Sequence, residues 1–323
     1  MRVLRLSFTA RDVALTRFAV SPLWEVVASV RALRRPDVHT VHRPWARAVA
    51  PRLAGVDWSL LAALVPDRRI PGFVAPPPAT PVPDLAVELA GLRATPPDVV
   101  RAGLPDDPAL AAVRDDPPAG LDRLCAQIQA YFDTALAPYW PRIRTLVEGD
   151  VLRRARLLAE GGAQALLNDI DPSVRWADDE LSVDHRAASG SLRLRGRGLL
   201  LVPSVFVWPR VFTLVAPPWQ PTLRYPPRGV ATLWERGEDR PRRALAGVIG
   251  RSRARILSEL DIPLSTTDLA ARTGITAGAV SQHLTALRNA GLVAGHRAGR
   301  HVRYARTEAA EALLAAEAVS GGR

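Results

Sequence analysis

With 323 residues and 48% hydrophobic positions, the chain has room for two or three domains of roughly 100–200 residues, and its composition lies outside the disordered range. Its formal net charge of +11 is carried entirely by Arg, since the sequence has no Lys, and it favours a polyanionic partner. A single cysteine, Cys125, excludes an intrachain disulfide framework, and no apolar run reaches the roughly 20 residues of a membrane span, so a soluble cytoplasmic protein with no membrane contact is expected.

The N-terminus meets Arg11 and Asp12 before any apolar run develops, whereas a secretory signal needs roughly 7–15 apolar residues. Leu4, Leu6 and Phe8 alternate with Arg5 and Ser7, which predicts a short strand. Thr9 with Asp12 predicts a capping box, and Ser21-Pro22 predicts the start of a helix whose apolar face is Val26, Val27, Val30 and Leu33. The Pro-rich stretch from Pro66 to Pro83 reads as an ordered loop or linker. Helical spacing resumes over Leu85–Leu92 and Leu121–Leu167, with breaks near Pro138 and Pro141. The period then changes to that of short strands: Val174–Trp176, Leu181–Val183, Leu192–Leu194, Leu199–Val202, Val205–Val207, Val211–Leu214 and Thr222–Tyr225.

This N-terminal part offers only weak chemistry. His39-x-x-His42 lacks Cys or acidic partners nearby and reads as a packing or surface pair. Cys125 sits beside Leu121, Leu124 and Ile128 and reads as a small buried hydrophobe. Asp106-Asp107, Asp115-Asp116 and Asp178-Asp179 read as solvated turns, and Gly196-Arg197-Gly198 as a turn into the strand at Leu199. Trp208 and Trp219 either belong to the core or line a ligand pocket. No dinucleotide fingerprint, phosphate loop, Gly-x-Ser-x-Gly or His-Glu-x-x-His occurs.

The last quarter is different. Residues 241–323 hold 12 Arg against 6 acidic residues, more than half of the chain's excess charge. Leu245, Val248, Ile249, Ile256, Leu257 and Leu260 predict one or two helices around Gly250–Ser252, ended by Ile262-Pro263. Ser265 or Thr266 caps a short helix over about Thr267–Arg272, Gly274 makes a tight turn, and Thr276 caps a longer helix that ends at Gly291. Short helix, Gly turn and longer helix are the spacing of a helix-turn-helix. On the second helix Val280, Leu284 and Leu287 form a buried stripe. Gly278, Gln282, Thr285 and Asn289 face the other way, with Ser281 and Arg288 on the flank. That face carries no acid that would repel phosphate, and Gln, Asn, Ser and Thr can all pair with base edges. His283 flanks the stripe, either packed in the core or reaching a phosphate. Leu292-Val293, a tip at Ala298-Gly299 and Val302-Arg303-Tyr304 predict a hairpin studded with Arg297, Arg300 and Arg303, and Thr307 caps a last helix with Leu313 and Leu314 on its apolar face.

The runs RSRARILSEL, LSTTDLAARTGITAGAVSQHLTALRNAGLV and GHRAGRHVRYAR resemble the arsenical-resistance-regulator (ArsR-like) winged-helix family over about residues 242–318. The resemblance implies that Thr276 to Arg288 is a recognition helix, and that the protein binds a palindromic operator on double-stranded DNA as a homodimer and represses transcription. Metal-sensing members carry Cys pairs in the first short helix or Asp/His ligands in the last. Here those positions read Leu264 to Asp268 and Thr307 to Glu311, without Cys or His, so no metal and no cofactor is expected. The region before this domain resembles N-terminal regions of actinobacterial proteins of uncharacterised function.

The expected fold is therefore α+β: a mixed helical and antiparallel-strand region over 1–240, which senses an unknown small-molecule effector or holds the dimer together, followed by a winged helix-turn-helix over 241–323. The expected DNA-binding residues are Thr276, Gly278, Ser281, Gln282, Thr285, Arg288, Arg297, Arg300 and Arg303. The competing reading is an N-terminal domain that binds a small molecule or is an enzyme, with DNA binding secondary.

Overall fold

The structure, a computed structural model, describes residues 2–66, 70–185, 189–234, 243–260, 262–298 and 301–320. Two compact units are present, Met1–Glu235 and Arg236–Arg323.

The first unit runs β1 (Arg2–Ser7), α1 (Ala10–Ala14), β2 (Arg17–Phe18), α2 (Pro22–Arg34), α3 (Arg43–Val49), α4 (Ser59–Leu64), α5 (Leu85–Arg93), α6 (Pro97–Gly103), α7 (Ala111–Asp115), α8 (Pro117–Tyr131) and α9 (Trp140–Asn168). It continues with β3 (Val174–Ala177), β4 (Glu180–His185), β5 (Gly190–Arg193), β6 (Leu200–Pro203), β7 (Phe212–Leu214) and β8 (Thr222–Tyr225). The capping box at Thr9 and Asp12 forms, and the Ser21 hydroxyl caps α2 by accepting from Trp24 N at 3.0 Å. Local hydrogen bonding thus starts both helices where the sequence places Thr and Ser.

Two four-stranded sheets form, in the orders β3-β4-β1-β5 and β2-β6-β8-β7. The unit is α+β. Beside the antiparallel pairs β1–β4, β3–β4 and β7–β8, each sheet contains parallel pairs: β1–β5 in one, β2–β6 and β6–β8 in the other. Strand period alone carries no direction, so these parallel neighbours are set by how the chain crosses between strands. A helical core gathers Trp24, Trp45, Leu61, Leu92, Ile128 and Phe206. A second core packs Leu4, Leu6, Leu181, Val183 and Tyr225 against Leu166 and Leu167 at the end of α9. The long helical run reads through a π turn (Phe132–Leu136) and a 3-10 turn (Ala137–Tyr139) into α9, whose first turn holds Pro141, where the missing N–H costs nothing. Gly162 interrupts α9 with φ +65°, a conformation open to Gly at little cost.

One expected strand does not form. Val205–Val207 lies in a turn, because the buried Glu25 carboxylate accepts Val205 N (2.7 Å), Phe206 N (3.2 Å) and Ser204 Oγ (3.0 Å). Those N–H groups are committed to a side chain, so they leave the ladder.

The second unit runs α10 (Arg243–Ile249), α11 (Arg251–Glu259), β9 (Leu264–Ser265), α12 (Thr266–Thr273), α13 (Ala277–Asn289), β10 (Val293–Ala298), β11 (His301–Arg306) and α14 (Glu308–Ser320). Gly250 separates α10 from α11. Ile256, Leu257, Leu269, Val280, Leu284, Leu287, Val293 and Leu314 form its core. Of the two leucines expected on the apolar face of α14, Leu314 packs inward beside Ala310, and Leu313 is exposed. The pair β9–β11, antiparallel through Arg303↔Ser265 and Tyr304↔Leu264, adds a third strand to the hairpin. The two residues of β9 are too short a signal for sequence periodicity to detect.

Candidate nucleic-acid interface

The turn between α12 and α13 follows from three local groups. Ser265 caps α12 in a reciprocal box with Asp268: Asp268 N donates to Ser265 Oγ (3.2 Å), and Ser265 N donates to Asp268 Oδ2 (3.1 Å). Gly274 ends α12 at φ +67°, where a Cβ would be strained. Thr276 Oγ1 accepts Ala279 N at 3.4 Å to start α13. Val280, Leu284 and Leu287 are each at most 1% exposed, so one stripe of α13 is locked into the core and its opposite face is turned outward.

On that outward face Thr276, Gly278, Ser281, Gln282, Thr285 and Arg288 are all exposed. Gly278 has open space where a Cβ would stand, so a backbone surface is available there for close approach. Thr285 Oγ1 donates to Ser281 O at 3.0 Å, which leaves its oxygen as an acceptor and its methyl as an apolar contact. Gln282 has the longest neutral polar side chain on the face. α13 carries no acid along its length. His283 is half-buried beside the stripe.

The hairpin pairs His296 with Arg303, Arg297 with Val302 and Ala298 with His301. Arg303 is exposed, but its Nη1 donates to Pro263 O at 3.4 Å, tying this arginine to the segment before α12. Asp268 is held below the ordinary carboxylate range, first by the Ser265 hydroxyl and backbone N–H and then by the charges of Arg303 and Arg272. Arg306 is drawn inward, with its Nε 2.9 Å from Glu311 Oε1. Arg297 lies on β10, and its side chain is outside the described residues; Arg300 and the Gly299 tip lie outside them entirely. Seven of the nine expected contact residues are therefore described with side chains, six along α13 and its cap and one on the wing.

In the first unit His42, Cys125, Asp107 and Asp116 take packing and capping positions. His42 is buried against Phe206 and Trp234, and its Nδ1 accepts Trp234 Nε1 at 2.9 Å. Burial pushes its pKa down to about 3, so the ring is neutral. Cys125 is buried, with its thiol pushed up to about 11 by desolvation. Asp107 and Asp116 cap helical turns, and Asp178 and Asp179 sit in a turn with positive φ. Trp208 and Trp219 pack, partly buried, against the helical core. Among the described residues, no three His, Cys, Asp or Glu side chains gather as a metal site.

Sequence reading missed several buried ionisable groups, among them Glu25, Glu88 and Arg224. Glu25 and Glu88 are each pushed up to about 7 by desolvation, against hydrogen bonds that lower them. Glu88 accepts Ser21 Oγ (2.6 Å) and Leu23 N (2.7 Å). Arg224, pulled down to about 9 by burial, stacks on Trp24 at 3.9 Å and donates to Ala75 O. For Glu25 the available signal was an acid flanked by Trp24 and Val26 in the apolar first half of α2.

Comparison with known proteins finds one family match within each unit. Residues 252–294, from α11 into β10, match the family described as bacterial regulatory protein, arsR family. Residues 82–231 match a family of unknown function (DUF5937). The chain is 46% identical over 69 residues to the HTH-type transcriptional regulator NmtR of Mycobacterium tuberculosis (strain ATCC 25618 / H37Rv); the match covers 21% of this chain and 58% of that protein. The chain thus spans little more than half the length of that curated relative. No solved structure matches.

Proposed function

We propose that this chain, whose C-terminal unit carries an arsR-family helix-turn-helix, is a transcription regulator that binds an operator on double-stranded DNA as a cytoplasmic homodimer and represses from it. The observation that carries the reading is the outward face of α13: small, polar, free of acid and held outward by a buried stripe on the opposite side. In this reading Ser281, Gln282 and Thr285 meet base edges, with Gly278 letting the helix sit close. Thr276, Arg288, Arg297, Arg300 and Arg303 meet the phosphate backbone. Residues 241–323 are the DNA-binding domain. Residues 1–240 receive an effector or hold the dimer, and they contribute no catalysis.

The test begins with selection of DNA from the genome by the purified protein. Wild type should prefer the selected duplex over a scrambled one. Gln282→Ala should lose about 1–3 kcal/mol of that discrimination, the usual worth of one bidentate base contact. Equal binding of wild type to both duplexes would reject sequence-specific recognition.

A further inference from the structure

The first unit holds an open cavity of about 270 Å³ between α4, α7 and the start of α8. Its walls are mostly apolar: Leu60, Ala63, Ala112, Val113 and Ala119. Both sides are held in place by neighbouring contacts. A Cβ on Gly120 would stand 2.8 Å from Val113 Cγ1, so α7 and α8 touch along this floor. Across the gap, Gln127 Oε1 accepts Leu60 N (2.9 Å) and Leu61 N (3.1 Å), which fixes α4 against α8. A space braced on both sides is preformed, and it lies just below the roughly 300–1,000 Å³ usual for ligand sites, so its occupant is small.

Arg123 is the one charged side chain among the described residues that line this space. Its Nη2 lies 3.3 Å from Asp57 Oδ2. The Asp57 carboxylate engages the guanidinium through this one contact, since it also accepts Ser59 N (3.0 Å), Ser59 Oγ (2.6 Å) and Gln127 Nε2 (2.7 Å). Those donors, with Ser59 first, pull Asp57 down to about 2. A guanidinium has five N–H donors in a planar fork, and the Asp57 contact takes one of them. Arg123, paired with Asp57 on one N–H, thus keeps further guanidinium donors at the rim of an apolar recess.

We propose that this cavity binds a small amphipathic carboxylate, with its apolar body against Leu60 and the alanines and its carboxylate on the Arg123 guanidinium. We assign it as the effector site of the regulator, an assignment that rests on the DNA-binding reading above. Hydrogen-bond complementarity selects the head group, since the guanidinium offers only donors, which suit a carboxylate, and the lining carries no carboxylate to receive an amine.

The test titrates the full chain with octanoate, and with 1-octanol and octylamine for comparison, by calorimetry. Octanoate should saturate one site per chain, with 1-octanol about tenfold weaker or more for want of a charge-assisted bond. Arg123→Gln, an exposed change, should remove the preference for octanoate over octanol. Ala112→Phe, at an exposed wall position, should fill the recess and abolish octanoate binding while circular dichroism stays unchanged. No saturable octanoate binding, equal binding of octanol, or binding untouched by both variants would each overturn the site. Operator affinity is then measured with and without saturating octanoate. Octanoate binding that leaves operator affinity unchanged overturns the effector role and leaves the ligand class standing. A chain that selects an operator yet ignores octanoate overturns the cavity proposal and leaves the DNA reading standing.

Discussion

Arg288→Ala separates a phosphate contact from a structural role. Arg288 is exposed in the last turn of α13, flanking the polar face. As a cation at a helix C-terminus it contributes about 0.3–1 kcal/mol through the helix dipole. That is small against the ~5–15 kcal/mol that keeps a domain folded, so the variant should remain native. If Arg288 neutralises one phosphate, its loss lowers the log–log salt slope by about 0.9. Raising salt fourfold, from ~50 to ~200 mM, should then shrink the wild-type to variant affinity ratio by about 3.5-fold. The same shrinkage should occur on operator and on random duplex, because a phosphate carries no sequence information. Fluorescence anisotropy at four salt concentrations on both duplexes measures it. A ratio that does not change with salt, or that changes on operator alone, would refute the phosphate assignment.

Three further outcomes are expected. Leu284→Ala, at 1% exposure in the core of the second unit, should destabilise that unit by about 2–5 kcal/mol in denaturant unfolding, and a cost well under 1 kcal/mol would mean that the α13 stripe is not locked. Operator affinity should be unchanged by a chelator or by added zinc, and a reversible zinc effect mapping to residues 241–323 would contradict the reading drawn from the lack of Cys and His in Leu264 to Asp268 and Thr307 to Glu311. Glu25, raised from 4.5 to about 7 by burial, contributes stability that is complete below its unfolded pKa and is lost as pH rises through about 7. Thermal melting of wild type between pH 5 and pH 8 should therefore slope downward more steeply than that of Glu25→Gln, and parallel slopes would show that Glu25 does not titrate there.

The parts of this protein legible in its sequence are those governed by neighbours within about two helical turns of chain. The Ser265–Asp268 box, Thr276 as a cap, Gly274 at positive φ and the stripe of Val280, Leu284 and Leu287 each depend on residues at most seven positions apart. The acid-free face of α13 follows from the same periodicity, so the shape of the candidate interface could be read before any coordinates. Tertiary structure decided what depends on distant partners. Val205–Val207 has the composition of a strand, and a carboxylate 180 positions away in sequence takes its N–H groups. Arg303 reads as a free wing charge, and the pairing of β11 with β9 brings it to Pro263. Glu25, Glu88 and Arg224 carry no periodic mark, because a buried charge is tolerated only where folding assembles donors and aromatic faces around it. The recess beside Arg123 likewise arises from three helices meeting at small side chains, a coincidence in space that no local pattern encodes.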